Sequence, residues 1–171
     1  KDQRFVGKTT ILGAGYGMGA AKFYLQLKNY KVDIEQVECE RIIRVYRETY
    51  PQISELWKQA NLALRAMMRD QTAALGLDGV LEVQGKDGIK LPNGLYLRYP
   101  NLRVITNSSG KDEMVYDTKK GRAVIPNRIY GGKVVENICQ ALARIVIGEQ
   151  LIQVSKKYKV GDFIESGKKK Y

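Results

Sequence analysis

Arg4 and Lys8 stand four residues apart, followed at the same interval by Leu12 and Tyr16. On a helix that interval stacks side chains along one slowly turning face. A guanidinium fork and an ammonium point charge on one rigid face can neutralise and align the β and γ groups of a triphosphate. Leu12, one turn on, offers an apolar platform for a sugar or base, and Tyr16 ends the face with an aromatic ring beside glycine. A lone Arg-x3-Lys pair is ordinarily a solvated basic face, so the weight rests on the whole string.

Two nucleotide-binding patterns overlap this region and fail. Gly7-Lys8-Thr9-Thr10 ends like a P-loop, but Asp2 occupies the place of the leading glycine. Gly15-x-Gly17-x-x-Ala20 formally satisfies a dinucleotide fingerprint, with Asp33 and Glu35 near the distance of a ribose-binding acid. That fingerprint requires strands alternating with helices, whereas helical patterns follow here.

A second string runs from Tyr130-Gly131-Gly132-Lys133 to Arg144. Its glycines permit a tight entry into a helix. Glu136, Asn137 and Gln140 share a polar face, and Val135, Ile138 and Leu142 form an apolar one. An amide on a helix lying along a duplex can meet the minor-groove acceptors common to all base pairs without reading sequence.

Composition narrows the partners. The chain has 171 residues, 44% of them hydrophobic, which suffices for a core. Its 29 basic and 18 acidic residues give a net charge of +11, favouring polyanions: nucleic acid, nucleotides or an anionic membrane surface. There is no histidine, which removes His-dependent triads, general bases and zinc sites together. Cys39 and Cys139 are far apart and match no metal or redox spacing. No run approaches the ~18 apolar residues of a membrane span, so a soluble, cytoplasmic protein is expected. The chain opens on Lys1-Asp2-Gln3-Arg4 without methionine and closes on Gly167-Lys168-Lys169-Lys170-Tyr171; both ends read as cuts.

The elements that must position these strings follow from periodicity. Helices are expected over 3–16, 20–29, 34–49 with Asp33 as cap, and 53–75 after an interruption at Pro51. From Gly76 the texture changes to Gly- and Asp-rich sequence around short alternating stretches at 80–83 and 89–91. Leu91-Pro92-Asn93-Gly94 signals a turn before a strand through Tyr99, and further strands are expected at 102–106 and 114–117, joined by a loop over 107–111. A final helix fits 134–157, with Val135, Ile138, Ala141, Leu142, Ile145 and Ile152 as its buried stripe. The layout is α+β: helices, a small antiparallel meander, then a long helix.

Taken together, Arg4-x3-Lys8-x7-Tyr16-Gly17 resembles the fingers-helix motif of A-family (polymerase I-like) DNA polymerases. Tyr130 to Arg144, with Leu91-Pro92-Asn93-Gly94-Leu95-Tyr96 before it, looks like the palm segment of phage members of that family. The resemblance reaches to about Gln153. It implies fingers helices over 1–75 and part of the palm over 76–171, within a right-hand polymerase fold. It also implies triphosphate contacts from Arg4 and Lys8, sugar packing at Leu12, and stacking at the templating position by Tyr16 beside Gly17. Gln140, and less directly Asn137, would touch the duplex, with Lys90, Arg98 and Arg103 of the meander as basic support. Leu12 departs from the commoner Phe or Tyr. The partners implied are primer–template DNA, dNTPs and the rest of a polymerase chain, with no membrane. Mg2+ would be held in the intact enzyme by two aspartates, one upstream of Lys1 and one in a His-Asp motif that this histidine-free chain lacks. Asp162 and Glu165 are no substitute. The piece alone is therefore expected to be inactive. A single-subunit RNA polymerase shares the Arg, Lys and Tyr-Gly spacing, and a non-catalytic basic nucleic-acid-binding module is the reading from another class.

Overall fold

The computed structural model describes residues 2–76 and 80–158. Asp162, Glu165 and the 167–171 tail, with part of the stretch after Gly76, lie outside the described residues. Four helices come first: α1 (Asp2–Ala14), α2 (Ala20–Asn29), α3 (Gln36–Thr49) and α4 (Pro51–Met68). Strands β1 (Thr72–Ala74), β2 (Glu82–Gln84), β3 (Ile89–Lys90) and β4 (Tyr96–Leu97) form an antiparallel sheet in that order. Strands β5 (Arg103–Thr106), β6 (Asp112–Lys120) and β7 (Ala123–Ile129) form a second, and helix α5 (Gly131–Lys157) follows directly. The α+β layout is as expected. The meander, however, is two sheets, not one.

Two apolar clusters hold the chain. Ala14, Phe23, Leu27, Cys39 and Ile43 join α1, α2 and α3. Leu64, Met67, Leu75, Val83, Ile89, Ile129, Val134 and Ile138 join α4, both sheets and the start of α5. The clusters part between α3 and α4, inside the 1–75 segment that the sequence texture groups together. Among the described residues no helix is long and apolar enough to cross a membrane.

Several boundaries differ from expectation, each for a local reason. Asp33 does not cap α3: the helix begins at Gln36 with Glu35 as its N-cap and no side-chain cap hydrogen bond. Lys31 turns the chain at φ 58°, and Val32 and Ile34 pack into the first cluster ahead of the helix. Helix α4 starts at Pro51 itself, since a proline suits the first turn, where its missing N–H costs nothing. It stops at Met68 rather than near Leu75. Asp70 takes φ 57°, Gln71 N–H donates back to Ala66 O, and residues 72–74 pair with β2. Sheet pairing there overrides a helix-compatible sequence.

Strand β7 has no counterpart among the strands expected from the sequence, and it carries Pro126 in its middle. In the fold β7 is a sheet edge, where proline is tolerated. The stripe on α5 is buried only at its start. Val134, Val135 and Ile138 are in the core, Ala141, Leu142 and Ile145 are half-buried, and Ile152 is 54% exposed.

Candidate nucleotide and duplex site

Helix α1 ends at Ala14, so Tyr16 lies beyond it rather than on its next turn. Gly13, Gly15 and Gly17 weaken the helix, and the chain reverses through Tyr16 N–H to Gly13 O (3.1 Å) and Gly17 N–H to Ala14 O (3.1 Å), with Gly17 at φ 87°. The first string therefore splits into a helical row, Arg4-Lys8-Leu12, and a turn carrying Tyr16 and Gly17.

That turn is clamped from two sides. Trp57 of α4 donates its indole N–H to Gly15 O at 3.1 Å. Gly132, at the start of α5, lies so close that a Cβ there would meet Tyr16 O at 2.3 Å and Tyr16 C at 2.7 Å. A Cβ on Gly131 would meet Trp57 O at 1.9 Å, and Gly131 N–H donates to Asn61 Oδ1 at 2.8 Å. The adjacent glycines in the second string thus permit the backbone of α5 to touch both α4 and the α1–α2 turn.

This contact makes a cleft of about 930 Å3, whose walls include Leu12, Tyr16, Gly17, Lys22, Arg128 and Gln140. It brings together Leu12, Tyr16 and Gly17 from one end of the chain and Gln140 from the other. Arg4 and Lys8 are not in its wall. They are exposed on the α1 row that leads away from it, with Lys8 about 6 Å and Arg4 about 12 Å from Leu12 along the axis at ~1.5 Å per residue. Leu12 is 58% exposed at the cleft mouth.

Polar groups on α5 are mutually engaged. Gln140 Nε2 donates to Glu136 Oε1 at 3.2 Å, and Lys133 Nζ donates to Glu136 Oε2 at 2.9 Å. Asn137 faces the core instead, donating to the Tyr99 hydroxyl at 3.1 Å. Burial raises the Tyr99 hydroxyl above its usual range against the opposing pull of that Asn137 bond. The Tyr16 hydroxyl is also raised, first by burial, then by the nearby Cys139 and Glu136 and a side-chain hydrogen bond with Cys139. Tyr16 therefore remains a neutral ring and hydrogen-bonding hydroxyl through the physiological range.

Of three wall cations, Lys22 and Arg128 were not singled out from the sequence, and Lys133 stood in the second string without a role of its own. Arg128 lies 5.8 Å from the Tyr130 ring centre and 3.2 Å from Glu113 Oε1, while Lys22 forms no ion pair among the described residues. Their signal was the +11 charge, which names no position. Of the meander cations, Arg103 is held by Asp117 at 2.8 Å, Arg98 sits over the Tyr96 ring at 5.9 Å, and Lys90 is exposed. Among the described residues no group of three or more His, Cys, Asp and Glu could hold a metal ion.

No protein-family model matches the chain, and no solved structure matches it. Over 154 residues the chain is 27% identical to the DNA polymerase of Bacillus phage SP02, a similarity covering 86% of this chain and 23% of that protein. The chain thus spans about a quarter of the length of the relative it matches, and its sequence is related to that of a phage DNA polymerase.

Proposed function

We propose that this chain is the nucleotide- and duplex-handling part of a template-directed DNA polymerase of the A family, comprising fingers helices and part of the palm. The observation that carries the reading is the cleft itself. It unites Leu12, Tyr16 and Gly17 with Gln140, residues that the two sequence strings single out independently and that lie at opposite ends of the chain. The similarity to a phage DNA polymerase supports the same reading.

In this scheme Arg4 and Lys8 take the triphosphate charge along the exposed α1 row. Charge-assisted bonds from a fixed helix face restrict the β and γ groups more than bulk water does. Leu12 packs on the incoming sugar at the cleft mouth, and Tyr16 offers its ring to the nascent pair. The bare Gly17 backbone allows the template close approach. Gln140 meets the minor groove, and Asn137 supports that helix face through Tyr99. The intact parent would join a dNTP to a primer 3′ end by phosphoryl transfer with Mg2+, which supplies charge stabilisation for the entering and leaving oxygens. The described residues hold no fitting ligand set for that ion, so no step is assigned to it here.

Primer extension by the intact parent polymerase tests the assignment. Losing one charge-assisted contact of about 1.5–3 kcal/mol, Lys8→Ala should raise KM for dNTP roughly 10- to 150-fold. Its Kd for primer–template should stay within about 2-fold. An equal loss in both quantities would refute the triphosphate role of Lys8.

A further inference from the structure

Only Met114 and Val115 of β6 pair with both β5 and β7; Tyr116 to Lys120 pair in the sheet with β7 alone, through Asn127 to Ala123, while Asp117 N–H donates to Pro100 O at 2.8 Å just ahead of β5. Beyond that contact a two-stranded ribbon, Thr118 to Lys120 against Ile125 to Ala123, projects by about 10 Å at ~3.4 Å per residue. Its tip reads Lys119-Lys120-Gly121-Arg122, with Gly121 at φ 61° making the reversal, and all four residues are exposed.

The cations at the two ends of this ribbon differ in kind. At the root Arg103 is paired with Asp117 at 2.8 Å and Arg128 with Glu113 at 3.2 Å. At the tip Lys119, Lys120 and Arg122 form neither an ion pair nor a side-chain hydrogen bond among the described residues. Three uncompensated positive charges crowded onto a hairpin end repel one another, and a two-stranded ribbon has little stability of its own to offset that. A polyanion supplies the missing counter-charge. The placement selects which one: β7 runs straight into Arg128 and Tyr130, of which both line the cleft. The tip thus lies about 20 Å along the strand from the cleft wall at ~3.4 Å per residue. Duplex DNA offers a phosphate on each strand every ~3.4 Å of rise, so that distance corresponds to roughly six base pairs.

We infer that the β6–β7 ribbon is a duplex clamp: Lys119, Lys120 and Arg122 grip the sugar-phosphate backbone about six base pairs from the cleft. The contact is electrostatic and independent of base sequence. It shares with the proposed function the premise that this chain handles a duplex, and needs none of the nucleotide roles.

The test is binding of the 171-residue chain to a fluorescein-labelled 24-base-pair duplex across a salt series, read by anisotropy. Each lost phosphate contact lowers the slope of log K against log salt by about 0.9. The triple variant Lys119→Gln, Lys120→Gln, Arg122→Gln should therefore lose roughly 2–3 from the slope and on the order of 100-fold in affinity at 0.1 M salt. Lys119→Gln alone should lose about 0.9, which keeps the test valid if the triple variant folds poorly. A charge-matched variant in the helical half of the chain, Lys31→Gln in the α2–α3 turn with Arg44→Gln and Arg65→Gln on α3 and α4, should keep its slope within about 1 of the parent chain. Equal losses in the two triple variants would mean diffuse charge and overturn the clamp. So would an unchanged slope in the tip variants, no duplex binding by the parent chain, or tip-dependent binding to anionic vesicles without tip-dependent binding to DNA. If the tip has no effect while Lys8→Ala still impairs dNTP use, the clamp falls and the polymerase reading stands; the converse leaves the clamp and removes the nucleotide role.

Discussion

Gly132→Ala places one methyl group at the joint between the α1–α2 turn and α5. The new Cβ would lie 2.3 Å from Tyr16 O and 2.7 Å from Tyr16 C, both backbone atoms that no rotamer change can move aside. Relief requires shifting the turn or the helix, and overpacking of that kind costs about 1–3 kcal/mol. With a urea m-value of about 2 kcal/mol per molar, the unfolding midpoint should fall by roughly 0.5–1.5 M. Trp57 is the only tryptophan and donates to Gly15 O in that same turn, so its fluorescence reads the joint directly. Its native emission should move to longer wavelength as the turn lifts. Gly148→Ala in the same helix is the control, because nothing lies within 4 Å of its added Cβ. There the substitution should gain up to ~1 kcal/mol of helix propensity and raise the midpoint. Opposite signs in one helix are the expected result. A midpoint that rises, or stays put, in Gly132→Ala would refute the close-approach argument and with it the reason for Tyr16 facing Gln140 across the cleft.

Other outcomes follow from single contacts. Asn61→Ala strips the acceptor from Gly131 N–H (2.8 Å) at a buried glycine, so urea unfolding should show a loss of about 1–3 kcal/mol; a loss under about 0.5 kcal/mol would mean that water or another acceptor takes over. Asp117 is held below the usual carboxylate range, first by the Asn101 hydrogen bond and then by Arg103. Because its folded value is depressed, its contribution is complete above the unfolded value of ~3.9 and disappears as pH falls through the lower folded one. Urea midpoints of the parent chain and Asp117→Asn should therefore differ at pH 7, and the gap should begin to narrow below about pH 4 and close only below the lower folded value; a gap independent of pH would contradict this.

The tyrosine turn shows where sequence reading stops. Four-residue spacing placed Arg4, Lys8 and Leu12 on one helix face correctly, because that relation is local and depends only on helix pitch. The same spacing carried on to Tyr16 fails, since the helix ends at Ala14 and the ring is set by contacts with α4 and α5. Likewise the α5 string was visible as a helix with a glycine entry, but not that its glycines exist to touch Tyr16 and Trp57. Asn137 and Gln140, neighbours in pattern, part company in space: one bonds to Tyr99 in the core and the other opens on the cleft.

The sequence alone settles the α+β layout, the helical row of Arg4, Lys8 and Leu12, the turn at Asn93-Gly94 and the basic balance of the chain. Those depend on periodicity, turn chemistry and composition, all of which are short-range or additive. Tertiary structure alone decides that β1 is a strand, that Pro126 sits on an edge, and that Lys22 and Arg128 share a cleft wall with Gln140. It alone decides, too, that the tip cations stand free while their root counterparts are paired. Each of these turns on which partner a backbone or a charge finds far along the chain, and spacing along the sequence carries no record of that choice.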